Sequence, residues 1–259
     1  MSAVGEAPPR HDPAARHGVA IGEGAAALDL MSTMRAMRKL RPDPVPRETL
    51  ERLVEAATWA PSGGNTQEYS FTIVDDRETM AKVAKIWRRT CAYYTAAQRP
   101  LPPPYVKPEA WDKVMDSLEV LADDFEETPA LIVACYDMSG ILKRMIKGWK
   151  HTLRGARAIG VWQTLRFLPR IPRFMSTGEA ASIYPGVQNM LIAARALGLG
   201  ATLTTWHTLY EGDYRRALGL SRRTKIYAIV PVGYPRGHFG PVSRRPAAEA
   251  IRYTGEATG

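Results

Sequence analysis

The chain has 259 residues, 45% of them hydrophobic and 24% charged, which is ordinary globular usage and enough to bury a substantial core. No run approaches the roughly 20 uninterrupted apolar residues of a membrane-spanning helix, and only two cysteines, Cys91 and Cys135, argue against a disulfide framework and for a reducing, cytoplasmic setting. The formal charge of +9 is concentrated between Met138 and Gly178, where nine basic residues and no acidic one occur, so the remainder is balanced.

Residues 1–27 lack periodicity, and His11, Asp12, Arg16, His17 and Glu23 interrupt any apolar block of a signal peptide. A disordered leader, or an arm that orders against a partner, is expected there, with structure beginning near Leu28. Over Pro46–Ala60, Leu50, Leu53, Val54 and Ala57 fall on one helical face. Pro46 suits the first turn, Glu48 and Glu51 suit the positive helix end, and Pro61 stops the helix. Ser62–Thr66 reads as a loop, Tyr69–Val74 as a strand and Glu78–Arg89 as a helix.

The five prolines of Arg99–Pro108 predict an extended linker, followed by a helix over Ala110–Phe125 and a buried strand over Ala130–Tyr136. The basic segment predicts helix from Ile141 to Leu168, broken by Pro169 and Pro172. A helix over Pro185–Leu197 ends at Gly198 and Gly200. Strand Ala201–Trp206, a short helix Asp213–Leu218 and a central strand Lys225–Val232 complete the reading. Interleaved strands and helices give a single domain over 28–259, of α+β or α/β class with helices on a sheet.

Common chemical constellations are absent. The histidines at 11, 17, 151, 207 and 238 lack metal-ligand spacing. No nucleophile elbow or P-loop occurs, and Gly198-Leu199-Gly200 follows a helix, where a dinucleotide fingerprint would follow a strand. Difficult chemistry would therefore belong to a bound cofactor.

Four segments must be read together: Met34-Arg35-Ala36-Met37-Arg38-Lys39-Leu40-Arg41-Pro42, then Ala60-Pro61-Ser62-Gly63-Gly64-Asn65-Thr66-Gln67, then Val187–Gly200, and last Val232-Gly233-Tyr234-Pro235 with Arg244-Arg245-Pro246. In order and content they resemble the nitroreductase family of FMN flavoproteins over roughly Leu28 to Glu249. The resemblance implies an α+β fold with a central, mostly antiparallel sheet flanked by helices. It also implies a domain-swapped-style homodimer with two FMN sites at its interface, each built from both subunits.

By that resemblance, Arg35 with Arg244 or Arg245 would clamp the FMN phosphate, a dianion that bidentate guanidinium fits well. Arg38 would reach the ribityl chain or the pyrimidine edge of the flavin, or serve as a second phosphate ligand. The loop bearing Pro61, Ser62, Gly63, Asn65 and Gln67 would border the flavin across the dimer interface, and Thr204 and Thr205 would touch the ring. Met34, Ala36 and Leu40 replace the usual Arg, Ser and Phe of the first motif. Ala36 therefore keeps its place at the cofactor without a hydroxyl, and FMN binding is expected to weaken. Glu68-Tyr69 stands where Pro-Trp is common.

Lys143, Lys147, Lys150, Arg154 and Arg157 are spaced as one face of a helix, with Leu142, Met145, Ile146, Trp149, Leu153 and Ala156 on another. Two forms suit this pattern: a lid with its apolar side on the core, or a peripheral helix on an anionic membrane surface using 141–168. Residues 88–178 are the expected source of substrate specificity. Trp149, Trp162 and Phe167 are expected in the core or at the pocket. No nucleic-acid-binding motif accompanies the charge. The resemblance implies an oxidoreductase that takes hydride from NADH or NADPH and passes it to a small electrophilic acceptor. The alternative is a flavin-sequestering or membrane-associated protein on the same scaffold.

Overall fold

A computed structural model describes residues 25–137 and 139–254; the expected leader at 1–27 lies almost wholly outside them. Four strands, β1 (Tyr69–Val74), β2 (Ala130–Tyr136), β3 (Gly200–Ala201) and β4 (Lys225–Gly233), form one antiparallel sheet in the order β1-β2-β4-β3. Among the described residues the helices are α1 (Ala25–Thr33), α2 (Arg47–Thr58), α3 (Arg77–Gln98), α4 (Pro108–Asp123), α5 (Ser139–Lys147), α6 (Trp149–Ile159), α7 (Val161–Phe167), α8 (Ile171–Ala196) and α9 (Glu211–Ala217). The α+β class and antiparallel sheet are as expected.

Every residue of β2 is buried, because helices cover both sheet faces. Its side chains alternate between two cores. Ile132, Ala134 and Tyr136 pack with α2 and α8, while Leu131, Val133 and Cys135 pack with α3 and α4. A register shift opposite Ala134 and Cys135 inserts Tyr227 as an extra residue of β4. This bulge puts Tyr227 and Ala228 on the same, α8-facing side.

The helix predicted to open at Pro185 instead starts at Ile171 and carries Pro185 in its interior. An internal proline loses one helical hydrogen bond at a cost of about 3 kcal/mol, but Ser182, Ile183, Gly186, Val187 and Met190 are buried on both sides of it. Packing outweighs the local penalty. Gly186 makes that packing close, since a Cβ there would lie 2.8 Å from the Ala57 carbonyl oxygen of α2.

Helix α3 likewise runs to Gln98, past the predicted end at Arg89. The following Arg99 reaches Asp116 and Glu119 of α4, at 2.9 Å each, and ties the long helix to its neighbour. The predicted strand Ala201–Trp206 shortens to the two residues of β3 and one bridge between Thr204 and Ile229.

The basic segment is not one helix. It divides into α5, α6 and α7 at Gly148 and Gly160, the latter at φ +82°. The division separates Lys143 and Lys147 from Lys150, Arg154 and Arg157, so the continuous cationic face that an anionic surface would meet is interrupted. Nor does the apolar side rest on the core: Trp149, Trp162 and Phe167 are 58%, 82% and 42% exposed. No described helix is long and apolar enough to cross a membrane.

Candidate functional site

The stretch after α1 is stitched to the sheet edge. Met37 N–H donates to the Ala201 carbonyl at 3.0 Å, and Leu40 bridges Pro235. Both side chains are buried, and Gly200 permits it, because a Cβ there would lie 2.9 Å from atoms of Met37 and Leu40. With Met37 and Leu40 turned inward, Arg35 is left exposed and Arg38 half-buried.

The same stitching joins the far end of the chain. Val242 N–H donates to the Ser32 carbonyl at 3.0 Å, three residues before Arg35 and two before Arg244. The fold therefore brings together the segments that carry Arg35 and the Arg244–Arg245 pair. The two far arginines are engaged differently. Arg245 lies over the Tyr105 ring at 5.2 Å, whereas Arg244 donates to the adjacent Ser243 carbonyl at 2.7 Å.

Arg38 points into a cavity of about 200 Å³ whose walls include Trp87, Tyr94, Trp111, Thr204 and Trp206. Burial lowers the guanidinium's pKa, opposed by Tyr94 and reinforced by the nearby charge of Arg35. Its polar partner is Ser117 Oγ at a long 3.4 Å. A guanidinium has five donors, so this one retains most of its hydrogen-bonding capacity in a half-buried place. Trp206 forms the cavity's aromatic wall, 5.3 Å from Trp87 and 4.9 Å from Tyr94 between ring centroids.

Trp87, Tyr94, Trp111 and Ser117 were not among the sequence candidates. Trp87 and Tyr94 are seven apart and share a face of α3, a signal that became visible only once the helix continued past Arg89.

Thr204 is fixed by two bonds to Ile229, its N–H donating and its carbonyl accepting at 3.1 Å each. Its Oγ accepts from Trp206 N–H at 3.3 Å. Thr205 is exposed, and its carbonyl accepts from Thr208. Arg38 and Thr204 thus share one cavity, with Thr205 beside it.

The Pro61–Gln67 loop stands elsewhere. Gly63 N–H donates to Ser182 Oγ of α8 at 3.0 Å, and the Thr66 and Tyr136 hydroxyls are 3.2 Å apart. Ser62 Oγ accepts from Gln67 N–H, and the Gln67 amide donates to Asn65 Oδ1, both at 3.2 Å. Gly64, Asn65 and Gln67 all take positive φ, between 51° and 59°. Pro61 is exposed at the loop's start. Among the described residues no hydrogen bond joins this loop to Arg38 or Thr204 of its own chain.

Comparison with known proteins places this arrangement. The model of the Nitroreductase family matches residues 32–234. A putative NADH dehydrogenase/NAD(P)H nitroreductase of Methanothermobacter thermautotrophicus is 24% identical, over 82% of this chain and 79% of that protein. Iodotyrosine deiodinase 1 of Mus musculus is 33% identical over 87% and 68%. The structure of an oxidized iodotyrosine deiodinase bound to FMN and 3-iodo-L-tyrosine superposes with a TM-score of 0.59 at 18% identity, covering 89% of this chain and 99% of that one. At that identity the superposition speaks to fold alone.

Proposed function

This chain belongs to the Nitroreductase family, and from that premise we propose that it is an FMN-dependent oxidoreductase passing hydride from NADH or NADPH to an electrophilic acceptor. Nitro compounds, quinones, activated alkenes and halogenated phenols have the required chemistry. The observation that carries the reading is the half-buried, under-partnered Arg38 guanidinium beside Thr204, at the place where the two chain ends are stitched together. An electron-rich, anionic cofactor suits that donor set. Bound FMN would supply the redox chemistry, so no side chain is required as nucleophile or general base.

The chain's own residues would bind and tune. Arg35 and Arg244 would hold the phosphate, with Arg245 left on Tyr105. Arg38 would hold positive charge beside the cofactor, favouring negative charge there and so a higher potential. Ala36 offers backbone only. The amides of Thr204 and Trp206 are already engaged, and exposed Thr205 would stand beside the ring.

A homodimer is part of the proposal. Among the described residues the Pro61–Gln67 loop makes no hydrogen bond to Arg38 or Thr204 of its own chain, so a second copy would supply Ser62, Gly63, Asn65 and Gln67 across the interface. Met34 and Ala36 remove one cation and one hydroxyl of the usual phosphate set. Losing one charge-assisted bond, about 1.5–3 kcal/mol, lowers FMN affinity by tenfold or more.

Purified protein tests the reading directly. It should show or take up a flavin band near about 450 nm that bleaches anaerobically with NADH or NADPH and recovers on addition of an acceptor. Colourless protein that takes up no added FMN would overturn it.

A further inference from the structure

A second and larger cavity, of about 840 Å³, lies between α5, the start of β4 and the segment His207–Glu211. It shares no lining residue with the Arg38 cavity. The neighbours Trp206 and His207 line different cavities, Trp206 the first and His207 the second. Its size falls within the range of sites that enclose small molecules, about 300–1,000 Å³.

The floor is aromatic. Tyr184 and Tyr227 meet edge to face with ring centroids 5.9 Å apart. Both hydroxyls are turned to protein: Tyr184 donates to the Tyr227 carbonyl at 3.1 Å, and Tyr227 donates to buried Glu179. What remains for a ligand is ring surface. The β4 bulge is what brings Tyr227 to this side of the sheet.

The rim is cationic. Lys225 is neutralised by Glu179 at 2.7 Å and Arg215 by Glu211 at 3.1 Å. Asp137 accepts from the Ser139 amide at 2.8 Å and from its hydroxyl, and as a carboxylate near Arg223 and Lys143 it offsets part of the rim's charge. Lys143, Arg222 and Arg223 also line the cavity, with no ion pair among the described residues.

His207 lies buried in the cavity wall beside the Ile226 backbone. It is 1% exposed, and neither ring nitrogen has a hydrogen-bond partner among the described residues. Burial lowers its pKa, with the Ile226 backbone and Glu211 in partial opposition, so the ring is neutral and carries one N–H and one lone pair.

We propose that this cavity binds a planar aromatic anion, a ring system carrying phosphate or carboxylate, independently of the flavin. The rings stack on Tyr184 and Tyr227 beside His207, and the anion meets Lys143, Arg222 and Arg223. A nucleotide and an aromatic carboxylate share that chemistry.

Calorimetry on the purified chain, FMN-saturated and freed of excess flavin, separates the sources. The probes are adenosine 5′-monophosphate, 1-naphthoate, uncharged adenosine and inorganic phosphate. At least one aromatic anion should bind more tightly than adenosine and phosphate, with the His207 ring signals shifting in NMR. The phosphate or carboxylate probe that binds tighter identifies the source. An Arg222→Gln/Arg223→Gln variant should lose at least tenfold in affinity while keeping its flavin content and melting temperature. No heat with either aromatic anion, unmoved His207 signals or undiminished affinity in the variant would overturn the proposal. A colourless preparation would sink the FMN reading alone, because these probes need no flavin.

Discussion

Glu68 and Arg144 form an ion pair at 2.7 Å that ties the residue after the Pro61–Gln67 loop to the first helix of the basic segment. Gly140 makes room for it, since a Cβ there would lie 2.7 Å from both Glu68 carboxylate oxygens. Beside them, Asp137 N–H donates to the Glu68 carbonyl at 3.0 Å. Two features that set the chain apart, the glutamate in place of a common proline and the basic segment, are therefore in contact.

Gly140→Ala should push the Glu68 carboxylate aside and act like Glu68→Gln, and the double variant should do no more than either alone. With Arg144 61% exposed, global stability should change by less than about 1 kcal/mol. Limited proteolysis within 139–170 should nevertheless speed up several-fold. Additive effects, or unchanged cleavage, would show that the pair does not hold α5.

Arg244→Ala should lower FMN affinity by tenfold or more, the loss of one charge-assisted bond of about 1.5–3 kcal/mol. Arg245→Ala, whose guanidinium stacks on Tyr105, should lower it less. Fluorescence titration with FMN compares the two, and the reverse ranking would reassign the clamp.

Arg38→Met keeps the length of the side chain and removes its charge. Its flavin should be reduced at a lower potential than in the parent, with the protein's melting temperature little changed. Spectroelectrochemistry reads this directly, and an unchanged potential would leave Arg38 a binding residue only.

Gly186→Ala should destabilise the fold by about 1–3 kcal/mol, the usual range for overpacking. The obstruction is the rigid Ala57 carbonyl of α2, at 2.8 Å, which cannot swing away like a side-chain tip. Urea denaturation should show a lower midpoint with an unchanged slope.

Burial pushes the thiols of Cys91 and Cys135 up to about 11 and about 12. The folded chain then holds protons that the unfolded chain releases near its ordinary value of about 8.5. Their stabilisation is complete below that value and is lost as pH rises through the folded values. Between about pH 9 and 11 each fully shifted thiol should lower stability by about 1.4 kcal/mol per pH unit, less for Cys91, whose shift is the smaller. Denaturation series across this window should show the decline, and a Cys135→Ala variant should show less of it.

Strands β1 and β2 were legible to the residue because a half-buried and a fully buried strand each leave a distinct pattern. The family resemblance was legible too, from four short segments in order. Helix ends were not. Pro185 and the stretch after Arg89 look like breaks locally, and only burial against α2 and the tie from Arg99 to α4 carry the helices through. Trp149, Trp162 and Phe167 read as core residues but stand exposed, because amphipathicity shows that a face is apolar without showing what covers it.

The sequence by itself determined the central strands through local patterns, and the α+β class and the arginines suited to an anionic cofactor through the resemblance of four ordered segments to a family. Only the tertiary structure decided which of them meet. The Ser32–Val242 hydrogen bond, the pairing of Glu68 with Arg144 and the placement of Arg38 beside Thr204 join residues remote in sequence. Such contacts are set by how helices pack on the sheet, and no local pattern encodes them.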